Sequence, residues 1–228
     1  MAEHLNDEEQ FEALKRWWQR SGLPMAGVLA VAAAGWFGWH WWQDRQQENA
    51  EQGAMLYGNM LQQLAAFEGG DTEAASQVSA QAQSLKALHG NSQYGRYGAL
   101  VLAKLAVADQ DFDGAAGELQ WVLDNADDPA LKRLATLRLA RIEAVRGNDQ
   151  AALALVQGAV AAPFAALYAE LEGDIHVRQG DREAALAAYQ RALDSLAPGD
   201  ASARPMLELK LSQVAGAAGT DGASGEDA

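Results

Sequence analysis

The sequence contains no cysteine, and this absence excludes several classes of protein. Disulfide-stapled scaffolds, thiol nucleophiles, zinc sites with cysteine ligands and lipid attachment through an amino-terminal cysteine all require the thiol. Proline is scarce as well, with five residues in 228, and aromatic residues make up only 7 %. Scarce proline permits long helices, and alanine-rich sequence with few β-branched residues favours helix over strand. We therefore predict an all-α fold.

Positive charge is also in short supply, because the formal net charge is −14. Binding of DNA or RNA needs a basic surface for the phosphates, so this balance argues against a nucleic-acid partner. The sequence has no phosphate-binding loop, no dinucleotide fingerprint and no metal-ligand spacing. We expect structural roles for the scattered histidines, which are His4, His40, His89 and His176. We predict no enzyme activity, no cofactor and no metal.

One uncharged apolar run stands out at residues 23–42, LPMAGVLAVAAAGWFGWHWW. Twenty helical residues at about 1.5 Å each span about 30 Å, the thickness of the hydrocarbon core of a bilayer. Six of the seven tryptophans flank this run or occupy its far end, and indole rings prefer membrane–water interfaces. The pattern predicts a single transmembrane helix with an aromatic belt at each side. The predicted belts consist of Trp17, Trp18, Trp36, Trp39, Trp41 and Trp42.

Two other interpretations of this run remain open. A cleaved signal peptide would also have an apolar core, and Ala32-Ala33-Ala34 offers small residues for cleavage. The apolar stretch nevertheless continues into bulky aromatic residues, and 22 residues precede it. An alanine-rich helix buried in a soluble protein is the second alternative, although six indoles beside one such helix would be unusual.

The distribution of basic residues predicts the orientation of this segment. Lys15, Arg16 and Arg20 precede the run, whereas Arg45 alone follows it before Lys86. Cytoplasmic flanks of membrane helices carry the excess of Lys and Arg. The amino terminus is therefore expected in the cytoplasm and the remaining chain in the periplasm, with the protein in the inner membrane of a Gram-negative bacterium.

Residues 1–22 are predicted to be a cytoplasmic amphipathic segment. Asn6 and Glu9 have the spacing of a capping box, and Phe11, Leu14 and Trp18 share one helix face. Gly22 and Pro24 are expected to break this helix from the span.

Three segments beyond residue 90 repeat each other without internal gaps, at 99–123, 136–160 and 169–193. Each has helical spacing of apolar residues on both sides of a central turn, so each is predicted to be a helix hairpin. The predicted turns are Gln110-Asp111, Gly147-Asn148 and Gly180-Asp181. Residues that match in register, many of them small, are Ala103, Ala140 and Gly173; Ala115, Ala152 and Ala185; Leu119, Val156 and Tyr189; and Val122, Ala159 and Ala192. This pattern resembles the tetratricopeptide repeat, although Glu143 and Glu172 stand where apolar residues are usual.

We predict that this repeat domain extends over residues 43–215. Residues 44–89 are expected to form two more helices, joined by a turn at Gly69-Gly70-Asp71. Residues 205–214 are predicted to be a final helix that covers the last repeat, as helical solenoids require. The composition of residues 216–228 predicts a disordered tail.

Helical repeats usually bind peptides or proteins on their concave surface, which the first helix of each hairpin lines. An apolar groove suits an extended or helical hydrophobic segment. The alternative is that the chain's own helix from 44 to 67, or its last helix, covers part of the groove. The predicted groove positions are Tyr97, Leu100, Lys104, Val107, Leu134, Leu137, Arg141, Val145, Leu167, Glu170, Asp174, Val177 and Arg178.

The acidic start, EEQFEALKRWW (8–18), the aromatic GWFGWHWWQ (35–43) and the repeats together resemble the YfgM-like family. That resemblance implies an ancillary subunit of the Sec translocon, anchored in the inner membrane, with a periplasmic tetratricopeptide domain. It implies association with the SecYEG channel and with PpiD, a membrane-anchored periplasmic chaperone, and transfer of emerging secretory chains to such chaperones. It implies no catalytic motif. Two other functions remain open: a structural scaffold of a cell-envelope complex, and a regulator that sequesters a cytoplasmic protein through the amino-terminal segment.

Overall fold

The computed structural model describes residues 3–70, 72–158 and 163–221. Within these ranges all regular secondary structure is helical, which confirms the predicted fold class. The chain divides into two compact units, Met1–Gln52 and Gly53–Ala228. The helices are α1 (Glu3–Glu68), α2 (Thr72–His89), α3 (Gln93–Ala108), α4 (Phe112–Asn125), α5 (Pro129–Val145), α6 (Asp149–Val156), α7 (Ala165–Gln179), α8 (Arg182–Asp194), a short 3₁₀ helix (Pro198–Ala203) and α9 (Arg204–Asp221).

The first unit consists of the amino-terminal part of α1. This helix continues across Gly22 and Pro24, so the break that we expected there is wrong. Proline within a helix removes one backbone hydrogen bond, but the neighbouring Leu23, Met25 and Ala26 are good helix formers and sustain the helix around it.

Large aromatic side chains of the first unit are exposed. They belong to Trp36, Phe37, Trp39, Trp41 and Trp42. The Trp39 and Trp42 rings lie 5.5 Å apart, and the Arg45 guanidinium lies 4.9 Å from the Trp41 ring centroid. The side chains of Trp17 and Trp18 lie outside the described part of the structure.

Among the residues that the structure describes, no helix combines the length and the apolar character needed to cross a membrane. The span predicted at 23–42 is thus not found among them. The side chains of residues 23–26, 28 and 29 lie outside the described part, and the span stays a prediction.

The second unit is built from helix hairpins, as the repeats predict. The pairs α3/α4, α5/α6 and α7/α8 are the three repeats, and each helix packs on the next along the chain. The end of α1 pairs with α2, and the turn between them includes Gly70 at a φ of +102°. Asp71, the third residue of that predicted turn, lies outside the described residues.

The three central turns share one backbone geometry. Gln110, Gly147 and Gly180 all have positive φ, at 61°, 82° and 75°. In each turn the next residue donates its backbone N–H to a carbonyl five residues back, from Asp111 to Ala106 at 2.8 Å and from Asp181 to His176 at 2.9 Å. This arrangement closes the first helix of each hairpin and is typical of a Schellman motif. Gln110 adopts the left-handed conformation although glycine is the residue that favours it.

The register of small residues marks where the two helices of a hairpin cross. Ala103 and Ala140 are buried, and so are all three members of the second set, Ala115, Ala152 and Ala185. At the third repeat the tyrosine ring of Tyr189 lies against Gly173, and a Cβ added there would come 2.6 Å from Cε1 of the ring. The matched small residues thus allow close approach of the paired helices, as predicted.

Two helix ends differ from the prediction. Helix α6 ends at Val156 rather than 160, because Gln157 is extended and Gly158 has a φ of +127°. Ala159, the last matched residue of that repeat, lies outside the described residues. Helix α9 continues to Asp221, so residues 216–221, expected to be disordered, are helical, and their alanines favour this. Residues 222–228 lie outside the described part.

The two unusual glutamates have polar partners. Glu143 accepts hydrogen bonds from Arg146 Nη1 at 2.8 Å and from Asn148 Nδ2 at 2.7 Å. Glu172 accepts one from Arg191 Nη1 at 3.1 Å. Each carboxylate therefore has the partner that a half-buried charge requires.

Helix α9 closes the last repeat with an ion cluster above an apolar contact. Lys210 Nζ donates to Glu170 Oε1 at 2.7 Å and to both Asp174 oxygens at 2.8 Å. Tyr189 donates its hydroxyl proton to Asp174 at 2.7 Å. Leu207, with 2 % of its surface exposed, packs below into the core of the last hairpin. Burial lowers the pKa of Lys210, but the hydrogen bonds to Asp174 and Glu170 outweigh it and raise that pKa overall.

We predict that Gly173→Ala destabilises the protein by about 1–3 kcal/mol, because the new methyl group overlaps the Tyr189 ring. Gly117 is a matched control, since it lies inside helix α4 with no neighbouring atom within 4 Å of an added Cβ. Gly117→Ala is expected to stabilise by about 0.5–1 kcal/mol. Urea unfolding followed by circular dichroism measures both. Equal effects of the two substitutions would contradict the close crossing of α7 and α8.

We also predict that Lys210→Met lowers the free energy of unfolding by about 1–2 kcal/mol, because Glu170 and Asp174 lose their shared cation. The folded pKa of Lys210 lies above its ordinary 10.5. The contribution of Lys210 should therefore be complete below pH 10.5 and disappear as the pH rises through the folded pKa. Urea titrations at several pH values test this, with Lys132→Met as a control on the exposed surface. A loss that persists unchanged at the highest pH would show that the charge of Lys210 is not what holds α9.

Candidate functional site

The predicted groove positions do not form one continuous open surface, because the chain's own helices cover both ends. At the first end, the α1 residue Tyr57 lies 5.4 Å from Tyr97, centroid to centroid. The α1 residue Glu68 forms an ion pair with Lys104. Burial raises the pKa of Tyr57, and Tyr97 adds to this effect. Tyr97 and Lys104 therefore face α1.

At the other end, helix α9 covers the third repeat. Glu170 and Asp174, both predicted to face a partner, instead bind Lys210. Arg178 donates hydrogen bonds to the Ala144 carbonyl and to the Asp149 carboxylate, so it joins the second repeat to the third. Leu167, on the first turn of α7, keeps 39 % of its surface exposed.

Two further predicted positions lie in the core. Leu137 of α5 has 1 % of its surface exposed and packs against α6 and α7. Leu134 is partly buried against the core that α3, α4 and α5 share. The third repeat thus covers the side of α5 that carries Leu137, which leaves this residue inaccessible to a partner.

Between the two covered ends, α3, α4 and α5 enclose an open pocket of about 370 Å³. The pocket contains the predicted residues Leu100, Lys104 and Arg141, and the wider predicted set adds Val107 and Val145. Its volume is within the range of pockets that bind one or two side chains or a small ligand. The complete lining is Leu100, Ala103, Lys104, Val107, Phe112, Leu119, Arg138, Arg141, Ile142 and Val145.

The predicted groove set lacks five of the lining residues, which are Ala103, Phe112, Leu119, Arg138 and Ile142. Arg138 lies three residues before Arg141, and residues at this spacing share a helix face, so the helical period could have predicted it. Phe112 and Leu119 belong to α4, the second helix of its hairpin, and reach the pocket floor past Ala103. A prediction confined to the first helices could not include them.

The pocket carries three basic side chains, from Lys104 of α3 and from Arg138 and Arg141 of α5, and its other lining residues are apolar. None of its lining residues is acidic. Lys104 is already paired with Glu68. Burial lowers the pKa of Arg138, and the neighbouring charge of Arg141 lowers it further. The two guanidinium groups thus repel each other beside an apolar surface.

Five other arginines of the second unit have carboxylate partners, whereas Arg133 lies against the Phe164 ring and Arg182 donates to the Ala215 carbonyl. Arg96 pairs with Asp127 at 3.1 Å, Arg146 with Asp113 at 2.5 Å, and Arg191 with Glu172 at 3.1 Å. Within the described ranges, neither Arg138 nor Arg141 has such a partner. The pocket therefore offers hydrogen-bond donors that the described chain leaves unused.

This arrangement suits binding. Its apolar wall can bury a side chain, and its guanidinium groups can receive an anionic group. In the part of the chain that the structure describes, no group of three or more His, Asp or Glu side chains could hold a metal ion. Of the predicted histidines, His89 is buried and His40 lies beside Trp36, at 6.3 Å between ring centroids.

Comparison with known proteins identifies relatives along nearly the whole chain. The ancillary SecYEG translocon subunit of Neisseria gonorrhoeae is 28 % identical over 214 residues, which are 94 % of this chain and all of that protein. The protein of the same name from Haemophilus influenzae has the same identity and coverage. That from Escherichia coli is 25 % identical over 92 % of this chain and 97 % of its own length.

These relatives confirm the resemblance to ancillary translocon subunits that the amino-terminal motifs and the repeats predict. A family model described as a tetratricopeptide repeat-like domain also matches residues 15–216. Proteins of this repeat type bind other proteins. With three helix hairpins in register and a match over most of its length, the chain belongs to the tetratricopeptide repeat-like domain family.

Proposed function

We propose that this protein is an inner-membrane-anchored adaptor of the Sec translocon that binds other polypeptides in its repeat domain. One observation carries the proposal: proteins named ancillary SecYEG translocon subunits align with 94 % of the chain, from the amino-terminal segment through the repeats. The pocket between α3, α4 and α5 supports it, because this is an accessible and largely apolar concave surface.

The amino-terminal unit is proposed to be the membrane anchor. Residues 23–42 carry no charged side chain. Exposed Trp36, Trp39 and Trp42 would be unfavourable in water as a cluster, whereas the headgroup region accommodates indole rings. Lys15, Arg16 and Arg20 on the amino-terminal side favour a cytoplasmic amino terminus and a periplasmic repeat domain.

The repeat domain is proposed to link emerging secretory proteins to the periplasmic chaperone network. Its partners would be SecYEG, a PpiD-like chaperone and unfolded secretory chains. A tether of one helix confines the binding pocket to the membrane surface and raises its effective concentration near the channel exit. Weak binding in the pocket would then be sufficient for repeated capture and release of clients.

The proposed topology predicts opposite labelling of two single-cysteine variants, and the absence of native cysteine makes each variant unambiguous. Gln10→Cys lies before the proposed span, and Ala187→Cys lies on the exposed face of α8. A membrane-impermeant maleimide added to spheroplasts should label Ala187→Cys, and should label Gln10→Cys only after lysis. The reverse pattern, or equal labelling of both before lysis, would refute the orientation.

The proposed binding surface predicts site-specific crosslinking in cells. Val145, with 61 % of its surface exposed at the pocket rim, would be replaced by a photoreactive amino acid, with Ala187 outside the pocket as the control site. We expect crosslinks from Val145, and few from Ala187, to a translocon subunit, a PpiD-like chaperone or secretory chains. Crosslinks to fixed envelope proteins alone would favour a scaffold, and capture in mild detergent without any translocon subunit would refute the adaptor function.

A further inference from the structure

Arg138 and Arg141 share one face of α5 and line the pocket. The protein has 31 acidic residues against 17 basic ones, yet neither arginine has a carboxylate partner among the described residues. Five other arginines of this unit form ion pairs. Arg133 and Arg182 have none within the described ranges, but Arg133 lies 5.9 Å from the Phe164 ring centroid and Arg182 donates to the Ala215 carbonyl. Two adjacent guanidinium groups that lack an anion, among the residues described, therefore mark a place where a bound molecule supplies one.

We propose that the pocket between α3, α4 and α5 binds an acidic, apolar polypeptide segment, with a carboxylate on Arg138 and Arg141 and an adjacent apolar side chain in the cavity. The proposal rests on the proposed function, since it names the chemistry of the partner that this surface recognises. It distinguishes this pocket from a general hydrophobic groove, which would bind apolar segments whatever their charge.

The structure provides both the cationic groups and the apolar wall that such a segment requires. Arginine presents a planar set of donors that matches a carboxylate, and both Arg138 and Arg141 are exposed and therefore accessible to a ligand. Leu100, Ala103, Ile142 and Leu119 are buried and form the apolar wall beside the two arginines. A bound carboxylate would also relieve the repulsion between Arg138 and Arg141, and burial of the apolar neighbour would remove competing water.

Charge distribution favours a short acidic segment over a polyanion. Lys104, the third basic residue of the pocket, is paired with Glu68 of α1, so about two positive charges remain for a ligand. The net charge of the whole chain is −14, and a nucleic acid would meet repulsion beyond the pocket. A segment with one or two carboxylates next to Leu or Phe matches the available charge.

The experiment measures binding of a peptide array to the full-length protein in detergent micelles. Each peptide contains a Leu or Phe next to two variable positions. Three versions of every peptide are printed, with Glu, Gln or Lys at both variable positions. The wild-type protein should bind the Glu versions at least about tenfold more tightly than their Gln partners, since two charge-assisted hydrogen bonds depend on the carboxylate. The Lys versions should bind most weakly, and added salt should reduce the preference for Glu.

The matched variants test whether the two arginines cause that preference. The double substitution Arg138→Gln and Arg141→Gln should abolish it and leave the helical circular dichroism spectrum unchanged. The double substitution Lys132→Gln and Arg204→Gln removes the same charge from exposed sites outside the pocket and should retain it. Arg141→Lys should retain part of it, because lysine keeps the charge without the planar donor pair.

Three results would overturn the inference. Equal affinity for the Glu and Gln versions would show that the pocket does not select acidic segments. An unchanged preference in the Arg138→Gln, Arg141→Gln protein would place the acid-binding site elsewhere. Absence of binding by every peptide would exclude the pocket as a peptide site. The crosslinking at Val145 remains a separate measure of the proposed function, because it detects any partner whatever its charge.

Discussion

The close crossing of paired helices is the constraint on which the second unit depends. Alanine or glycine at the crossing points lets the two helices of a hairpin pack without a gap, and the apolar residues around them then exclude water. Tyr189 connects the helix crossing to the polar contacts of α9. Its ring lies against Gly173, and its hydroxyl donates to Asp174, which also accepts from Lys210 of α9. Burial raises the pKa of Tyr189, and the hydrogen bond with Asp174 adds to this, so the phenol stays protonated as a donor. One small residue thus sets the position of a polar network that closes the domain.

The pocket arises from the same packing rule. Ala103 is small, and Leu119 and Phe112 line the space beside it between the first helices of two repeats. Where a larger residue would have filled that space, the chain has an apolar cavity with two arginines at its edge. Elsewhere along the same face, α1 and α9 supply tyrosine, glutamate and lysine partners to the corresponding positions. The proposed binding surface is therefore the portion of the repeat face that the chain itself leaves uncovered.

Periodicity in the sequence was sufficient to predict the repeats, their central turns and the small residues at the crossings. The turn at Gln110 was predicted from register alone, because the left-handed conformation there has no glycine to reveal it. The same periodicity could not tell which part of each first helix remains accessible. Leu137 and Val107 were both predicted to line the groove, yet Leu137 has 1 % of its surface exposed under the third repeat whereas Val107 keeps 42 % exposed at the pocket. Accessibility depends on contacts between distant segments, such as Lys210 with Glu170, which no local pattern encodes.

Glycine and proline were not reliable predictors of helix ends in this chain. Gly22 and Pro24 do not end α1, whereas Gly158 follows the end of α6 after only eight helical residues. The adjacent residues explain why only one of these signals ends a helix. Leucine, methionine and alanine lie next to Gly22 and Pro24 and favour helix, whereas Gln157, just before Gly158, is already extended.

The covering of both terminal repeats has a consequence for assembly. Solenoids with bare ends can stack on further copies and form filaments, because each end repeats the surface that its neighbour would bury. Here Met60 of α1 fills the first end, and Leu207 of α9 fills the last. Within the described residues both end repeats are therefore covered, and an accessible apolar surface of the repeats lies at the pocket between them.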